Sequence, residues 1–76
     1  MELQKALIRF ATKDIKLAKK SGVVCVTDTK EGNIEIVLEN EIFTFTTISG
    51  NIIGQFLEKE AIKKLASLFV VVTGQN

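Results

Sequence analysis

The feature that most constrains the fold is an alternation of apolar and polar residues before one short polar break. Residues 33–39 alternate with a period of two, which is typical of a half-buried strand, and residues 42–49 follow as a second strand. The break, Asn40-Glu41, is the length of a two-residue hairpin turn. The apolar residues that this pattern places on one face are Ile34, Ile36 and Leu38 before the turn and Phe43 and Phe45 after it. The sequence therefore predicts two paired strands with one apolar face.

A third strand is predicted before this pair. Residues 23–28 are rich in β-branched side chains, and a three-residue loop at 30–32 would place Gly32 in the left-handed position of a G1 bulge. Directly opposite residues share a sheet face. The two loops together predict that Leu38 lies opposite Phe43, Ile36 opposite Phe45, Val26 opposite Ile36, and Val24 opposite Leu38. The predicted inner face consists of Val24, Val26, Ile34, Ile36, Leu38, Phe43 and Phe45.

Helices are predicted at both ends of the meander. Residues 2–20 contain no glycine or proline and place an apolar arc of roughly 200° on a helical wheel. Ser21-Gly22 ends this helix. Asp14 falls inside the apolar arc, and it could instead cap a shorter second helix that begins at Ile15. After a turn at 49–51, residues 52–69 are predicted to form the last helix.

These elements predict an α+β fold of order α-β-β-β-α, formed by residues 1–76 as a single domain. The architecture is a three-stranded antiparallel meander with both helices mainly on one face. The sequence leaves open whether Val70–Val72 continue the last helix or form a short fourth strand.

The residue inventory argues against catalysis. Cys25 is the only cysteine and there is no histidine, so zinc ligation and the usual activated thiol are both unsupported. The acidic row Glu35, Glu39 and Glu41 lacks further oxygen ligands at a suggestive spacing. We therefore expect no catalytic residues, no metal, no cofactor and no small-molecule substrate, and hence a protein that is not an enzyme.

The location of the protein is predicted from two features. A lone cysteine is typical of a reduced intracellular protein. No signal peptide is visible and no 18-residue apolar run occurs. The sequence thus indicates a soluble, cytoplasmic protein with no membrane partner.

One candidate binding surface is the basic face of the first helix. Residues 1–20 carry six basic and two acidic side chains, whereas the acidic residues concentrate in 28–41. The exposed cations could contact a nucleic-acid backbone without sequence specificity, or they could form a solvated face balanced by the acidic strands. The residues proposed for nucleic-acid binding are Lys5, Arg9, Lys13, Lys16 and Lys20.

The other candidate is the outer face of the sheet. A sheet covered by helices on one side normally has a polar opposite face, yet here apolar residues lie among threonines. Such patches mark interfaces, unless a helix or residues 70–72 cover them within the monomer. The predicted interface residues are Val23, Cys25, Val37, Ile42 and Thr44. The sequence thus favours a protein-interaction module, such as a small regulator, inhibitor or adaptor, that acts as a homo-oligomer or on a protein partner.

Overall fold

The computed structural model describes residues 2–71 and has two helices packed on one face of a four-stranded antiparallel sheet. The strands lie in chain order across the sheet, so each strand pairs with the next one. This confirms the α+β class, the meander and the placement of both helices. The elements are α1 (Glu2–Ser21), β1 (Val23–Thr29), β2 (Gly32–Glu39), β3 (Ile42–Thr47), β4 (Ile52–Phe56) and α2 (Glu58–Leu68).

The first helix is continuous from Glu2 to Ser21, so the alternative of a second helix capped by Asp14 is wrong. It ends as predicted, because Gly22 has a φ of +87° and its N–H donates to the Ala18 carbonyl at 2.7 Å. Glycine adopts this left-handed conformation without a steric penalty, which makes it the usual residue after the last helical turn.

The hairpin between β2 and β3 forms as predicted. Asn40 and Glu41 both have positive φ, +54° and +65°, as a two-residue turn of type I′ requires. The predicted pairs Leu38 with Phe43 and Ile36 with Phe45 are confirmed.

The hairpin between β1 and β2 has the predicted apolar face but not the predicted register. Gly32 is left-handed with a φ of +80°, yet Val26 pairs with Ile34 and Val24 with Ile36. The reason is an irregularity between Val26 and Thr29, where Asp28 has a φ of +61°. The error amounts to two residues, and since side chains alternate with a period of two, every residue keeps its predicted face.

A fourth strand occupies the start of the segment predicted as the last helix. Residues 52–56 pair with β3, and α2 begins at Glu58 instead of residue 52. The prediction was wrong because a short apolar run with two isoleucines fits a strand as well as a helix. Glycine at position 54 leaves room for the Phe56 ring in this strand, since a Cβ there would lie 2.6 Å from Cζ of Phe56.

The core lies between the helices and the inner face of the sheet. Each of the predicted inner-face residues is buried or packs against this core. The helices contribute several small side chains to this core, including Ala11, Ala18 and Ala61 at 0% exposure. The fully or nearly buried residues are Ala11, Ile15, Ala18, Val26, Ile34, Ile36, Phe43, Phe45, Ala61, Leu65, Ala66 and Leu68.

After α2 the chain turns to the far end of β1. Phe69 has extended backbone and forms an isolated antiparallel bridge with Thr29, and the Lys30 N–H donates to the Leu68 carbonyl at 2.7 Å. Val70 and Val71 belong to neither a helix nor a strand, and the last residue of the predicted terminal strand, Val72, lies outside the described residues.

Candidate functional site

The predicted interface residues all lie on the outer face of the sheet, away from both helices. Val23, Val37 and Thr44 are cross-strand neighbours and form one row across three strands. Thr44 ends the row by accepting a hydrogen bond from Nε2 of Gln55 at 3.3 Å. Cys25 is exposed on β1, and Ile42 is half-buried on β3 opposite Glu39. Neither the helices nor the described part of the C-terminal segment covers this face.

Charged and polar residues divide the outer face. Glu35 lies between Cys25 and Thr46, and Glu39 lies beside Ile42. Ile52 of β4 adds an apolar side chain that the sequence did not place here, and it is 66% exposed opposite Thr46. The outer face is therefore mixed, and its least interrupted apolar part is the row that starts at Val23.

A second set of exposed apolar residues lies on α1. Leu3, Phe10 and Leu17 are spaced seven residues apart and are 53%, 60% and 47% exposed. Residues seven apart on a helix lie on one side of it, and we call these three the α1 stripe. The sequence placed them in the arc expected to pack on the sheet, which is wrong for these residues, since Ala11, Ile15 and Ala18 take that position. The sequence did contain a sign of this exposed stripe. The predicted apolar arc spans roughly 200°, which is wider than the part of a helix that one sheet covers.

The free edge of β1 is next to this stripe. The Leu38 N–H donates to the Gly22 carbonyl at 2.9 Å, so even-numbered residues of β1 bond to β2. In an antiparallel ladder the intervening residues direct their N–H and C=O groups to the other side. These residues are Val23, Cys25 and Thr27, and we call them the β1 edge. Within residues 2–71, the hydroxyl of Ser21 is their one such partner; it donates to the Val23 carbonyl at 2.6 Å.

The α1 stripe and the β1 edge meet at an open groove of about 480 Å³. Phe10 and Asp14 of α1, Thr27 and Asp28 of β1, and Val70 are among the residues that line it. The two surfaces therefore adjoin at Phe10 and Thr27, and a partner that contacts the β1 edge at Thr27 also lies beside Phe10 of the α1 stripe.

Asp14 is half-buried beside this groove. Burial raises the pKa of its carboxyl above the ordinary value of 3.8, although the neighbouring Lys13 acts in the opposite direction. Burial acts this way because it disfavours the charged form. At neutral pH the charged Asp14 carboxylate therefore destabilises the folded state.

We expect Asp14→Asn to be more stable than the wild type at pH 7. Because the pKa of Asp14 is higher in the folded state, protonation of its carboxyl stabilises the folded protein. This stabilisation is complete below about pH 3.8 and is lost as the pH rises through the raised pKa. The gain in melting temperature should therefore shrink as the pH is lowered towards 3.8. Circular dichroism melts across this range measure it. Glu2→Asn on the exposed first turn of α1 is the control, and an equal gain at every pH would contradict the assignment to Asp14.

The basic residues of α1 lie where the sequence placed them. Lys5, Arg9, Lys13, Lys16 and Lys20 are all exposed. Lys19 differs, because its Nζ lies 3.0 Å from Oε1 of Glu58 in the one ion pair found within the described part of the chain. The acidic residues Glu35 and Glu39 project from the opposite face of the sheet, so they do not neutralise α1 by contact.

Residues 2–71 include the acidic side chains and the cysteine from which a metal site could be built. There, no group of three or more acidic or cysteine side chains is arranged to hold a metal ion. Neither helix combines the length and apolarity that crossing a bilayer requires. Comparisons with protein-family models, with curated proteins and with solved structures return no match.

Proposed function

We propose that this chain is a non-enzymatic protein-interaction module, a small regulator, inhibitor or adaptor, that acts as a homo-oligomer. The observation that supports this is the α1 stripe beside the β1 edge. Exposed apolar side chains that collect on one side of a molecule often mark an interaction surface. A cytoplasmic location, suggested by the single cysteine, belongs to the same proposal.

The predicted outer-face residues are part of this working surface. Val23 and Cys25 belong both to the outer face and to the β1 edge, so a partner at the edge also meets the row behind Val23. Val37 and Thr44 of that row are half-buried, which leaves Val23, at 40% exposure, as its most accessible apolar member. The proposed surface therefore runs from the outer face over the β1 edge to the α1 stripe.

Burial of the α1 stripe would contribute to the free energy of association. Complete burial of a leucine or phenylalanine side chain contributes about 1.5–3 kcal/mol. Leu3, Phe10 and Leu17 retain about half of their exposure, so each could still contribute roughly 1 kcal/mol when covered. Phe10 is the best anchor, because aromatic side chains dominate the energetics of protein interfaces.

Light scattering coupled to gel filtration at micromolar concentration tests the proposal. We expect the wild type to self-associate and Phe10→Lys to be monomeric, because a buried, unpaired lysine opposes the contact. Ile48→Lys is the matched control. Ile48 is 77% exposed in the β3–β4 turn, away from the proposed surface, and its substitution should change nothing. A wild type that stays monomeric, or equal behaviour of the two variants, would refute the proposal.

A second candidate is sequence-nonspecific nucleic-acid binding by the basic face of α1. Its support is that Lys5, Arg9, Lys13, Lys16 and Lys20 are exposed and the acidic strands face away from them. Adding single-stranded DNA to the same gel-filtration runs decides between the candidates. Co-elution at about 50 mM salt that disappears as the salt is raised is the signature of phosphate contacts; no shift at low salt eliminates this candidate.

A further inference from the structure

We propose that two copies of this chain associate by antiparallel pairing of their β1 edges about a twofold axis at Cys25, which joins the two sheets into one of eight strands. This inference rests on the proposed self-association and adds the partner, the surface and the register. The occupant of the edge is a second copy of this chain.

The two edges of the sheet differ in how well they are protected. β4 has five residues, contains Gly54, and has an irregular register with β3 between Phe45 and Thr46. β1 has seven residues, and the stretch from Val23 to Thr27 contains no charge, no proline and no glycine. Natural proteins usually protect an edge with charges, bulges or short strands. The stretch 23–27 carries no charged side chain, and the irregular register and the one charge of β1, Asp28, lie towards its far end. Such an uncharged stretch of edge is open to pairing with another strand.

The register follows from where the edge ends. At Thr29 the edge is closed by the bridge to Phe69, and the backbone turns out of regular geometry at Asp28. At the other end β1 begins directly after Gly22. The stretch available for pairing is therefore 23–27, in which the Val23 carbonyl already accepts the Ser21 hydroxyl, and antiparallel pairing over this stretch is centred on Cys25.

In this register both faces of the new strand pair are complementary. On the outer side Val23 meets Thr27 of the partner subunit, and on the inner side Val24 meets Val26 of the partner subunit. No charged residue occurs in 23–27, so like charges do not meet across the pair. Asp28 comes opposite Gly22 of the partner subunit, close to the last turn of its α1, where Lys20 is exposed and Lys19 is already paired with Glu58 of its own chain. This juxtaposition of opposite charges favours the pairing.

The α1 stripe distinguishes a second copy from a lone peptide strand. Phe10 lines the groove beside the β1 edge, so the stripe faces the side from which a new strand arrives. A single strand would pair with the edge but leave most of the stripe exposed. A second copy brings its own α1 beside its own β1, on the same face of the extended sheet. A twofold contact of this type is self-complementary and covers strand edge and stripe together.

Oxidative cross-linking tests the pairing. Directly opposite residues that exchange hydrogen bonds have Cα atoms about 5.5 Å apart, within the range of a disulfide. Treating the wild type with diamide, a thiol oxidant, should give a covalent dimer at a rate on the order of a hundredfold above that of unpaired thiols at micromolar concentration. Disulfide-dependent dimer on non-reducing gels is the readout.

Two variants in a Cys25→Ser background fix the register. Thr27→Cys alone should not cross-link, because two Thr27 positions lie four residues apart along the paired strands. Thr27→Cys combined with Val23→Cys should cross-link, because these positions are opposite each other. Equal cross-linking of Cys25 and of the lone Thr27→Cys variant would overturn the register.

Light scattering of the same samples separates the two proposals. A wild type that self-associates but does not cross-link at Cys25 would overturn the edge pairing and leave the proposed function standing. A wild type that is monomeric and does not cross-link would overturn both. Self-association with cross-linking at Cys25 and with the predicted behaviour of both variants supports both.

Discussion

Phe45→Ala is expected to lower the free energy of unfolding by about 3–5 kcal/mol, the usual cost of deleting a buried aromatic ring. Phe45 has 0% exposure and lies at the centre of the inner face, between Ile36 of β2 and Gly54 of β4. Its ring also contacts that of Phe56 edge to face, with centroids 5.0 Å apart and an interplanar angle of 72°. The substitution therefore removes core volume and an aromatic contact together.

Urea denaturation followed by circular dichroism measures this loss. Native domains have free energies of unfolding of about 5–15 kcal/mol. If the wild-type value is near the lower end of that range, the variant should be largely unfolded even without urea. Ile48→Ala, at a side chain that is 77% exposed, is the control and should stay within about 0.5 kcal/mol of the wild type. A loss below about 1 kcal/mol for Phe45→Ala would contradict the central position of this ring.

Gly54→Ala is expected to cost about 1–3 kcal/mol, as overpacking of a tightly filled site does. The added Cβ would lie 2.6 Å from Cζ and 2.9 Å from Cε2 of Phe56. The Phe56 ring must therefore move, and it then loses its contact with Phe45. The backbone is not the cause, since Gly54 is not among the residues with positive φ.

A double-mutant cycle isolates this clash. In a Phe56→Leu background the ring is absent, so the further change Gly54→Ala should cost little or increase stability through better strand propensity. The cycle should therefore give a coupling free energy of about 1 kcal/mol or more. If Gly54→Ala lowers the free energy of unfolding equally in both backgrounds, the Phe56 ring is not the reason why residue 54 must be glycine.

Much of the fold could be predicted because its pattern is local. Alternation in residues 33–39 and the turn at Asn40-Glu41 were sufficient to predict the β2–β3 register. The β1–β2 register could not be predicted, because it depends on the left-handed conformation of Asp28, which an aspartate adopts only occasionally.

The errors of the prediction concern features decided by tertiary contacts. Whether Ile52–Phe56 is a strand depends on its pairing with β3, and the helical period of the following residues concealed the boundary. The α1 stripe was missed for a related reason. Periodicity identifies the apolar side of a helix, but only the position of the helix on the sheet determines which part of that side remains exposed.

The meander has a consequence for how the chain folds. Every strand pairs with its sequence neighbour, so the sheet can form by successive short loop closures, which carry a small entropic cost. The contacts that join distant parts of the chain are those of α1 with α2 and of Thr29 with Phe69. We therefore expect the sheet to organise early and the two helices to dock late, so that weakening the contact between the helices accelerates unfolding more than it slows folding.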